Sequence, residues 1–478
     1  MALTQTRLDA YLDNPCAYFD YSVTRMLTIP NEEREELYLE GIKRRFEQFH
    51  HRIPMLERLA EGEDVNEIRE YGDVVRLLFD HATYKSYPVS LLDNHKYTQL
   101  TAWLNKLTTH DLTKVDVSQC RSIDDWMRTM KRDSPMAIGH TSGTSGTMSF
   151  LPFSRDELYR GFYQWLILYF QKFGQQGPGT KPVTPVNIHC IYPFFRDGGS
   201  VSCRGNDAVV ELITGSEARF HAAYPGYQSA DLTRLAAQYR GAVAKGTLDK
   251  LKISPELLAR RDEFIALQKN IPQHTSTFLA EKCTQLKGQR VFFWGATNMI
   301  YAMAEEGVKN GLHGMFTPDS IVMSGGGGKG VVFPPGWQDT IKKFLGVDNI
   351  STVYGMSETA GSPMVQCPNG HYHAGPALVP FILDPDTNAM LPRKGRVTGR
   401  FASYDLIADS HWGGFITGDE VTMEWDAPCG CGRTGPYLLP AISRFTDKPG
   451  AKGEEKINCA ATQEAYEDAL DFLTADVA

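Results

Sequence analysis

The chain has 478 residues, of which 42% are hydrophobic and 22% are charged, values that are ordinary for a soluble globular enzyme with more than one lobe. Its 49 basic and 57 acidic residues give a net charge of −8, which argues against a nucleic-acid-binding protein because phosphate backbones require basic patches. No segment approaches 18 consecutive apolar residues, and the N-terminus lacks a basic region followed by an apolar stretch, so we expect a cytoplasmic protein without a membrane partner.

Four regions follow one another along the chain. Residues 1–135 are rich in charge, and their apolar residues recur at spacings of three and four, which predicts a helical N-terminal region. Residues 136–383 alternate strand-like runs with amphipathic stretches, which predicts parallel sheets covered by helices. Residues 384–447 predict a small β-rich subdomain with Gly and Pro turns, and residues 448–478 form a short C-terminal tail. The predicted fold class is therefore α/β.

Within the second region, one helix and several strands are specific enough to be named. Residues 154–174 have helical periodicity and open with Ser154 and Glu157 at the spacing of a capping box. The predicted strands are VNIHCIY at 186–192, AVVELIT at 208–214, RVFFWGA at 290–296, DSIVMSG at 319–325 and NISTVYG at 349–355.

The stretch HTSGTSGTMSFLP at 140–152 has the composition of a phosphate-binding loop. Its glycines let the backbone turn N–H groups toward an anion, and its hydroxyl side chains add further donors. It is not a P-loop, because that motif requires a Lys and a hydroxyl residue directly after the second glycine, where Thr147 and Met148 stand. Taken alone, such a cluster is more often a solvated turn. The candidate anion-binding residues are Thr141, Ser142, Gly143, Thr144, Ser145, Gly146 and Thr147.

Three later segments support phosphate binding: STVYGMSETAG at 351–361, FITGDEV at 415–421 and CGCGRTGPYLLPAISRFTD at 429–447. Together with the loop, their content and order resemble the adenylate-forming superfamily of acyl-CoA synthetases, peptide-synthetase adenylation domains and luciferases. CGCGRT and the run SGGGGKG at 324–330 are similar to the phenylacetate-CoA ligase branch and the bacterial acyl-protein synthetases. The resemblance implies the large N-terminal domain of these enzymes, with helix-covered sheets and a small β-rich subdomain.

The resemblance also implies a reaction, the ATP-dependent activation of a carboxylic acid to an acyl-adenylate with release of pyrophosphate. Glu358 would hold Mg²⁺, a hard cation that prefers carboxylate oxygens. The loop residues, with Thr141 and Thr144 in catalytic roles, would bind the β- and γ-phosphates. A tyrosine would flank the adenine, an aspartate would accept hydrogen bonds from the ribose, and an arginine would reach the ribose or phosphate. These residues and their neighbours in the nucleotide site are Tyr354, Asp419, Arg444, Gly355, Met356 and Ser357.

Two further segments have roles implied by the resemblance. SGGGGKG matches G-x-G-x-x-G, but a dinucleotide fold needs a helix directly after that motif, and VVFPPGW with its paired prolines intervenes. The resemblance instead implies a loop in which Gly325, Gly326 and Gly327 approach the face of adenine. IYPFFRDGGS at 191–200 resembles a stretch that lines the acyl pocket. Its substrate-binding candidates are Phe194, Phe195 and Arg196, and an arginine exposed on a loop is the alternative for Arg196.

The nine cysteines, an odd number in a chain without a secretory signal, indicate reduced thiols. Cys429 and Cys431 form a C-x-C pair, and with Cys367 and His373 they would satisfy a tetrahedral, structural Zn²⁺ with no open position. A similar spacing occurs in the related ligase branch. His371 is the second candidate for the histidine ligand, and the alternative to zinc is a group of reduced cysteines in turns.

The acyl acceptor is the least defined part of the predicted function. About thirty residues follow Asp447, where most members of the superfamily carry a mobile lid with a late lysine; Lys452 or Lys456 would be its substitute. The acyl group would pass to Cys459 on a mobile tail, to a carrier protein, to CoA or to an amine, and a partner enzyme would consume it. Because the lid is missing, a non-catalytic or regulatory nucleotide-binding homologue is the rival hypothesis.

Overall fold

The structure of the protein is a computed structural model. It describes residues 3–141, 147–170, 174, 186–325, 333–348, 350–359, 362–445 and 463–474. Within these residues, no helix is both long enough and apolar enough to cross a bilayer.

The N-terminal region is helical, as its periodicity predicts. The last of its helices shows the local causes: Ser122 accepts a hydrogen bond from the backbone N–H of Asp125 at 3.0 Å, and Lys131 and Arg132 occupy the last turn, where they complement the helix dipole. The apolar faces of these helices join the core under the main sheet. The helices are α1 Gln5–Asp13, α2 Pro15–Tyr18, α3 Val23–Leu27, α4 Asn31–Phe49, α5 Pro54–Gly62, α6 Tyr71–Arg76, α7 Ser90–Asp93, α8 Tyr97–Leu104 and α9 Ile123–Asp133.

The next region builds the parallel half of the main sheet. Its elements are β1 Gly139–His140, β2 Phe150–Leu151, α10 Arg155–Phe170, β3 His189–Gly198, α11 Val201–Arg204, α12 Asn206–Val209, β4 Phe220–Gln228, α13 Ala230–Lys245, α14 Pro255–Ala259, α15 Arg261–Gln285, β5 Val291–Ala296, α16 Thr297–Lys309, β6 Ile321–Gly325, α17 Trp337–Leu345 and β7 Ser351–Tyr354. β1 and β2 form a separate antiparallel pair. The strands β4-β3-β5-β6-β7 lie side by side in that order, all parallel, and four of the five predicted strands are confirmed.

The fifth prediction was wrong, because the run AVVELIT at 208–214 is helical. It lies in α12 and in a π-helical turn at Val210–Thr214. Its buried apolar side chains recur at one-turn spacing, which is the period of a helix and not of a strand. Burial of this face outweighs the preference of valine and threonine for strands. The buried residues are Ala208, Val209, Leu212 and Ile213.

At β7 the sheet changes from parallel to antiparallel pairing, because β7 pairs in parallel with β6 and antiparallel with the next strand. The strands of the antiparallel half are β8 Met364–Gln366, β9 Tyr372–His373, β10 Leu378–Leu383, β11 Arg396–Asp405, β12 Gly414–Glu424, β13 Tyr437–Leu438 and β14 Ser443–Arg444. The sheet order is β10-β11-β12-β13-β9-β8-β7-β6-β5-β3-β4, with β14 also on β12. Antiparallel pairing thus begins at Met364, ahead of the predicted boundary at residue 384. Open α/β sheets bind ligands at strand ends where the topology changes.

The described part of the C-terminal tail is a helix packed on the main body. α18 Gln463–Thr474 lies against α13 and α15, and Ala469, Leu470 and Leu473 are fully buried there. Arg240 on α13 pairs with Asp468 at 3.2 Å. Residues 463–474 of the tail are therefore packed on the main body.

Glu157 at the start of α10 is fully buried and charged. Its backbone N–H donates to Ser154 Oγ at 3.0 Å, as the capping box predicts, but its carboxylate turns elsewhere. It lies 2.9 Å from His411 Nδ1 and accepts a hydrogen bond from the backbone N–H of Ser410 at 2.9 Å. Burial raises the pKa of Glu157, but the charge of His411 and the hydrogen bonds from His411 and Ser410 together outweigh burial and hold the pKa below its usual value. This ion pair joins α10 to the connection between β11 and β12.

Candidate active site

Tyr354 and Asp419, two residues from separate predicted motifs, are in direct contact. Tyr354 ends β7, and its hydroxyl donates to Asp419 Oδ2 at 2.9 Å. Burial, followed by the charge of Asp419, holds the pKa of Tyr354 well above its usual value, so the phenol remains a donor. The ring packs against Phe401 with centroids 5.2 Å apart. The Tyr-Gly and Thr-Gly-Asp motifs therefore form one site at the end of β7.

Arg444 joins the same site through β14. This strand pairs with β12 so that Asp419 and Arg444 are directly opposite each other. Arg444 Nε lies 3.6 Å from Asp419 Oδ1, and the arginine side chain is 64% exposed. Cross-strand pairing fixes the backbone of Arg444, while its exposed guanidinium is free to meet a ligand.

Two glycines of the predicted nucleotide site stand where a larger residue would not fit. A Cβ atom on Gly325, at the end of β6, would lie 2.8 Å from the side chain of Val353. A Cβ atom on Gly355 would lie 2.9 Å from Pro363. The side chains of Val353 and Pro363 therefore occupy the space that a side chain at these two positions would need.

Glu358 lies on a short turn directly after β7. The turn Ser357–Thr359 is 3₁₀-helical, and the backbone N–H of Thr359 donates to the carbonyl of Met356 at 3.3 Å. Burial raises the pKa of Glu358, and the charges of Lys85 and Arg444 act in the opposite direction. A carboxylate in this position fits a hard cation, because a bound cation would stabilise its charged form.

The predicted phosphate loop lies between β1 and β2 in the chain. Gly139 is opposite Leu151, His140 is opposite Phe150, and the backbone N–H of Thr141 donates to the carbonyl of Ser149 at 3.2 Å. Thr141 and Thr147 thus lie at the two ends of the loop. The loop residues outside the described structure are Ser142, Gly143, Thr144, Ser145 and Gly146.

A segment of the N-terminal region that no motif predicted also reaches the site. Phe79 pairs with Phe415 at the start of β12, and the ring of His81 packs on the same phenylalanine with centroids 5.5 Å apart. Tyr84 and Lys85 follow. Burial and, after it, the charge of Glu358 raise the pKa of Tyr84, while the charge of Lys85 acts to lower the pKa of Glu358. The periodicity of residues 1–135 indicates helices and contains no signal for this contact.

The predicted acyl-pocket residues lie on β3. Phe194 and Phe195 are buried, and Phe195 stacks on Tyr224 with ring centroids 5.0 Å apart. Arg196 donates to Glu217 through Nε at 3.1 Å and to Asp207 through a terminal nitrogen at 2.9 Å. Two carboxylates therefore already balance its charge, and its pairing with an anionic substrate group stays a prediction.

The predicted zinc ligands are close together in space. The ligand atoms of Cys367, His373, Cys429 and Cys431 all lie within 4.8 Å of one another. Cys367 Sγ and Cys429 Sγ are 3.6 Å apart, too far for a disulfide, and Cys431 Sγ is 3.5 Å from His373 Nε2. His371 Nδ1 is also 3.1 Å from Cys429 Sγ. Strands β8, β9 and β13 with their loops bring these residues together.

Five more predicted residues lie outside the described structure. They are Gly326 and Gly327 of the glycine run, Lys452 and Lys456 as substitutes for the lid lysine, and the proposed acyl acceptor Cys459.

Comparison with known proteins identifies the fold. No protein-family model matches the chain, and no curated protein matches it. The chain is similar to the open conformation of 2-hydroxyisobutyryl-CoA ligase in complex with 2-HIB-AMP and CoA, with a TM-score of 0.54 and 14% identity over 88% of this chain and 77% of that chain. The same ligase in its thioesterification state gives a TM-score of 0.52 and 14% identity over 88% and 70%. At this identity the similarity shows the fold, which confirms the predicted fold class.

Proposed function

We propose that the protein activates a carboxylic acid with ATP, forming an acyl-adenylate and releasing pyrophosphate. The observation that carries the proposal is the meeting of three motifs at one strand end: Tyr354 touches Asp419, Asp419 pairs with Arg444, and Glu358 follows on the next turn. A fold in common with a ligase that has been seen with 2-HIB-AMP supports it. The relevant chemistry is therefore transfer of an adenylyl group to a carboxylate.

In this reaction an oxygen of the acid attacks the α-phosphorus of ATP, the bond to the bridging oxygen breaks, and pyrophosphate leaves. Asp419 accepts hydrogen bonds from the ribose hydroxyls, and the ring of Tyr354 flanks the adenine. Arg444 places its positive charge at the α-phosphate or ribose. Because these groups are positioned before the reaction, they stabilise the transition state without reorganising.

Glu358 is the proposed ligand of Mg²⁺, and its buried carboxyl fits that role. When bound, the metal ion neutralises charge on the triphosphate. Thr141 directly follows β1, where its backbone N–H donates to the carbonyl of Ser149, and the other proposed phosphate-binding residues follow it in the chain.

The adenylate would then react with a nucleophile, and a thiol is the proposed class. The similar ligase was solved with CoA, which supports CoA as the acceptor. Cys459, a carrier protein, an amine and a partner enzyme that consumes the acyl group remain the other predicted acceptors and partners. Intact-protein mass spectrometry after incubation with ATP and the acid distinguishes Cys459, because self-acylation would leave an adduct that is labile to hydroxylamine.

Pyrophosphate exchange tests the proposed reaction. We expect labelled pyrophosphate to enter ATP only when the cognate acid is present, in a screen of aliphatic, hydroxy and aromatic acids that includes 2-hydroxyisobutyrate. Omitting the acid is the matched control. If the protein binds ATP but exchanges pyrophosphate with none of the acids, the result contradicts the proposal and supports the rival, a regulatory nucleotide-binding protein.

We also propose that the Cys/His cluster holds a structural Zn²⁺. Three thiols and one imidazole are the donors that zinc prefers, and Zn–S bonds of about 2.3 Å in a tetrahedron place two sulfurs about 3.8 Å apart. The observed 3.6 Å between Cys367 and Cys429 is close to that separation. His373 is the proposed fourth ligand because its ring nitrogen belongs to the cluster, and His371 is the alternative.

The zinc proposal predicts one Zn²⁺ per chain in protein purified without added metal. Replacing Cys431 with serine should reduce the metal content several-fold and lower the melting temperature, because a structural zinc stabilises the folded state. Elemental analysis measures the metal, and Cys120→Ser, at a buried cysteine outside the cluster, is the control. Metal-free wild-type protein would exclude the site, and full occupancy in Cys431→Ser would exclude that ligand.

A further inference from the structure

The N-terminal segment 77–87 is held at both ends against the candidate active site. At one end, the N–H of Phe79 donates to the carbonyl of Gly414 at 3.0 Å, and the N–H of Ile416 donates to the carbonyl of Phe79 at 2.8 Å. At the other end, the Tyr87 hydroxyl donates to the carbonyl of Met148 at 2.8 Å. The segment therefore spans from the strand that carries Asp419 to the end of the predicted phosphate loop.

Lys85 lies within this segment, two residues before Tyr87. The turn Thr83–Lys85 is 3₁₀-helical and packs on β2, and Asp80 fixes it by accepting hydrogen bonds from the N–H and hydroxyl of Thr83 at 2.9 and 3.0 Å. The preceding Tyr84 is 1% exposed and packs against Phe415. The backbone of Lys85 is thus fixed by its neighbours on both sides.

The side chain of Lys85 is half-buried and forms no ion pair with any residue in the described part of the chain. Its charge acts on the Glu358 carboxyl in the same direction as that of Arg444, against the effect of burial on the pKa. A lysine side chain that is not held by a carboxylate can turn its ammonium group toward an anionic ligand. ATP carries several negative charges, which the Glu358 carboxylate would repel. A positive charge at Lys85 would offset this repulsion and so favour binding of ATP.

We propose that Lys85 is a phosphate-binding residue of the active site, whose ammonium group contacts the triphosphate of ATP between Glu358 and the β1–β2 pair. The inference rests on the proposed nucleotide site and adds a residue from the N-terminal helical region to it. Lysine is suited to the role because it is a compact cation with three donors on a flexible stem. During adenylation, Lys85 would stabilise the negative charge that develops on the departing pyrophosphate.

Affinity for ATP in the full-length protein tests the inference, with Lys85→Met to remove the charge and Lys85→Arg to retain it. We expect Lys85→Met to weaken ATP binding by about tenfold or more, while binding of adenosine, which has no phosphate, changes less than twofold. Lys85→Arg should recover most of the affinity. Lys106→Met, at an exposed lysine outside the segment, is the matched control, and circular dichroism and melting temperature verify folding.

The outcomes separate this inference from the proposed function. Wild-type affinity for ATP in Lys85→Met overturns the inference, whether or not the protein exchanges pyrophosphate. An equal loss of ATP and adenosine affinity also overturns it, because the lysine then acts on the shape of the site and not on phosphate. The wild type could fail to exchange pyrophosphate with any of the tested acids, while Lys85→Met still loses affinity for ATP and not for adenosine. In that case the proposed reaction fails and the assignment of Lys85 stands.

Discussion

Replacing Glu358 with glutamine should lower acid-dependent pyrophosphate exchange by about 10²-fold or more, equivalent to about 2.7 kcal/mol of transition-state stabilisation. Glutamine retains the size of glutamate but removes the charge that would bind Mg²⁺. Because burial raises the pKa of Glu358, the neutral amide should be well tolerated in the fold. We therefore expect the melting temperature of the variant without nucleotide to equal or exceed that of the wild type.

The measurement is the exchange rate as a function of Mg²⁺ concentration, at saturating ATP and acid. If Glu358 is a metal ligand, the variant should need a higher Mg²⁺ concentration to reach its half-maximal rate. If the role of Glu358 is purely structural, the substitution should lower the rate by the same factor at every Mg²⁺ concentration. Glu281→Gln, at an exposed glutamate on α15, is the matched control. Wild-type exchange by Glu358→Gln would end the assignment of this residue to the metal.

Replacing Glu157 with alanine should destabilise the protein by about 3–5 kcal/mol, because the buried His411 must then either lose its proton or keep its charge without a partner. The two side chains are 0% and 2% exposed, so water cannot compensate for the lost partner. Chemical denaturation gives the free energy of unfolding. Asp156→Ala, at the exposed neighbour on the same helical turn, should cost less than about 1 kcal/mol.

The loss of unfolding free energy caused by Glu157→Ala should depend on pH. The Glu157 pKa is lowered in the folded state, so its contribution is present above the unfolded pKa of about 4.3 and disappears as the pH falls. Burial lowers the His411 pKa, but the charge and hydrogen bond of Glu157, together with the charges of Asp405 and Asp409, outweigh burial and raise it. The contribution of His411 is therefore complete below about 6.5 and disappears as the pH rises through its folded value.

The difference between the wild type and Glu157→Ala should consequently be largest between about pH 4.3 and 6.5. The double variant Glu157→Leu/His411→Leu should be more stable than Glu157→Ala, since neither charge is then buried alone. A cost for Glu157→Ala no greater than that of Asp156→Ala would show that the ion pair does not stabilise the fold.

The sequence predicts best those features that depend on local pattern. Four strand-like runs became strands because their apolar residues are continuous and short, and Tyr354, Glu358 and Asp419 could be named because each belongs to a compact motif. AVVELIT at 208–214 was misassigned because its β-branched residues favour a strand, although its buried positions follow the period of a helix. In short apolar runs the two periods cannot be distinguished reliably.

Contacts between distant segments could not be predicted. The segment that carries Lys85 reaches the candidate site because Phe79 pairs with Phe415 and the Tyr87 hydroxyl donates to the carbonyl of Met148, and neither contact has a local sequence pattern. Ser154 and Glu157 have the spacing of a capping box, yet the Glu157 side chain bonds across the fold to Ser410 and His411. Contacts with Ser410 and His411 therefore replace the local capping interaction of the Glu157 side chain, and sequence spacing alone does not reveal these tertiary contacts.

The place of β7 in the sheet determines how the site meets a nucleotide. Tyr354 lies at the end of a strand that is hydrogen-bonded on both sides, so it cannot slide without breaking pairs to β6 and β8. In the proposed nucleotide site, the adenosine half would thus be preorganised, and binding there would cost little conformational entropy. Glu358 and Lys85, by contrast, lie on short turns. Under the proposal, affinity for the nucleoside and adjustment to the triphosphate would therefore come from parts of the fold with different rigidity.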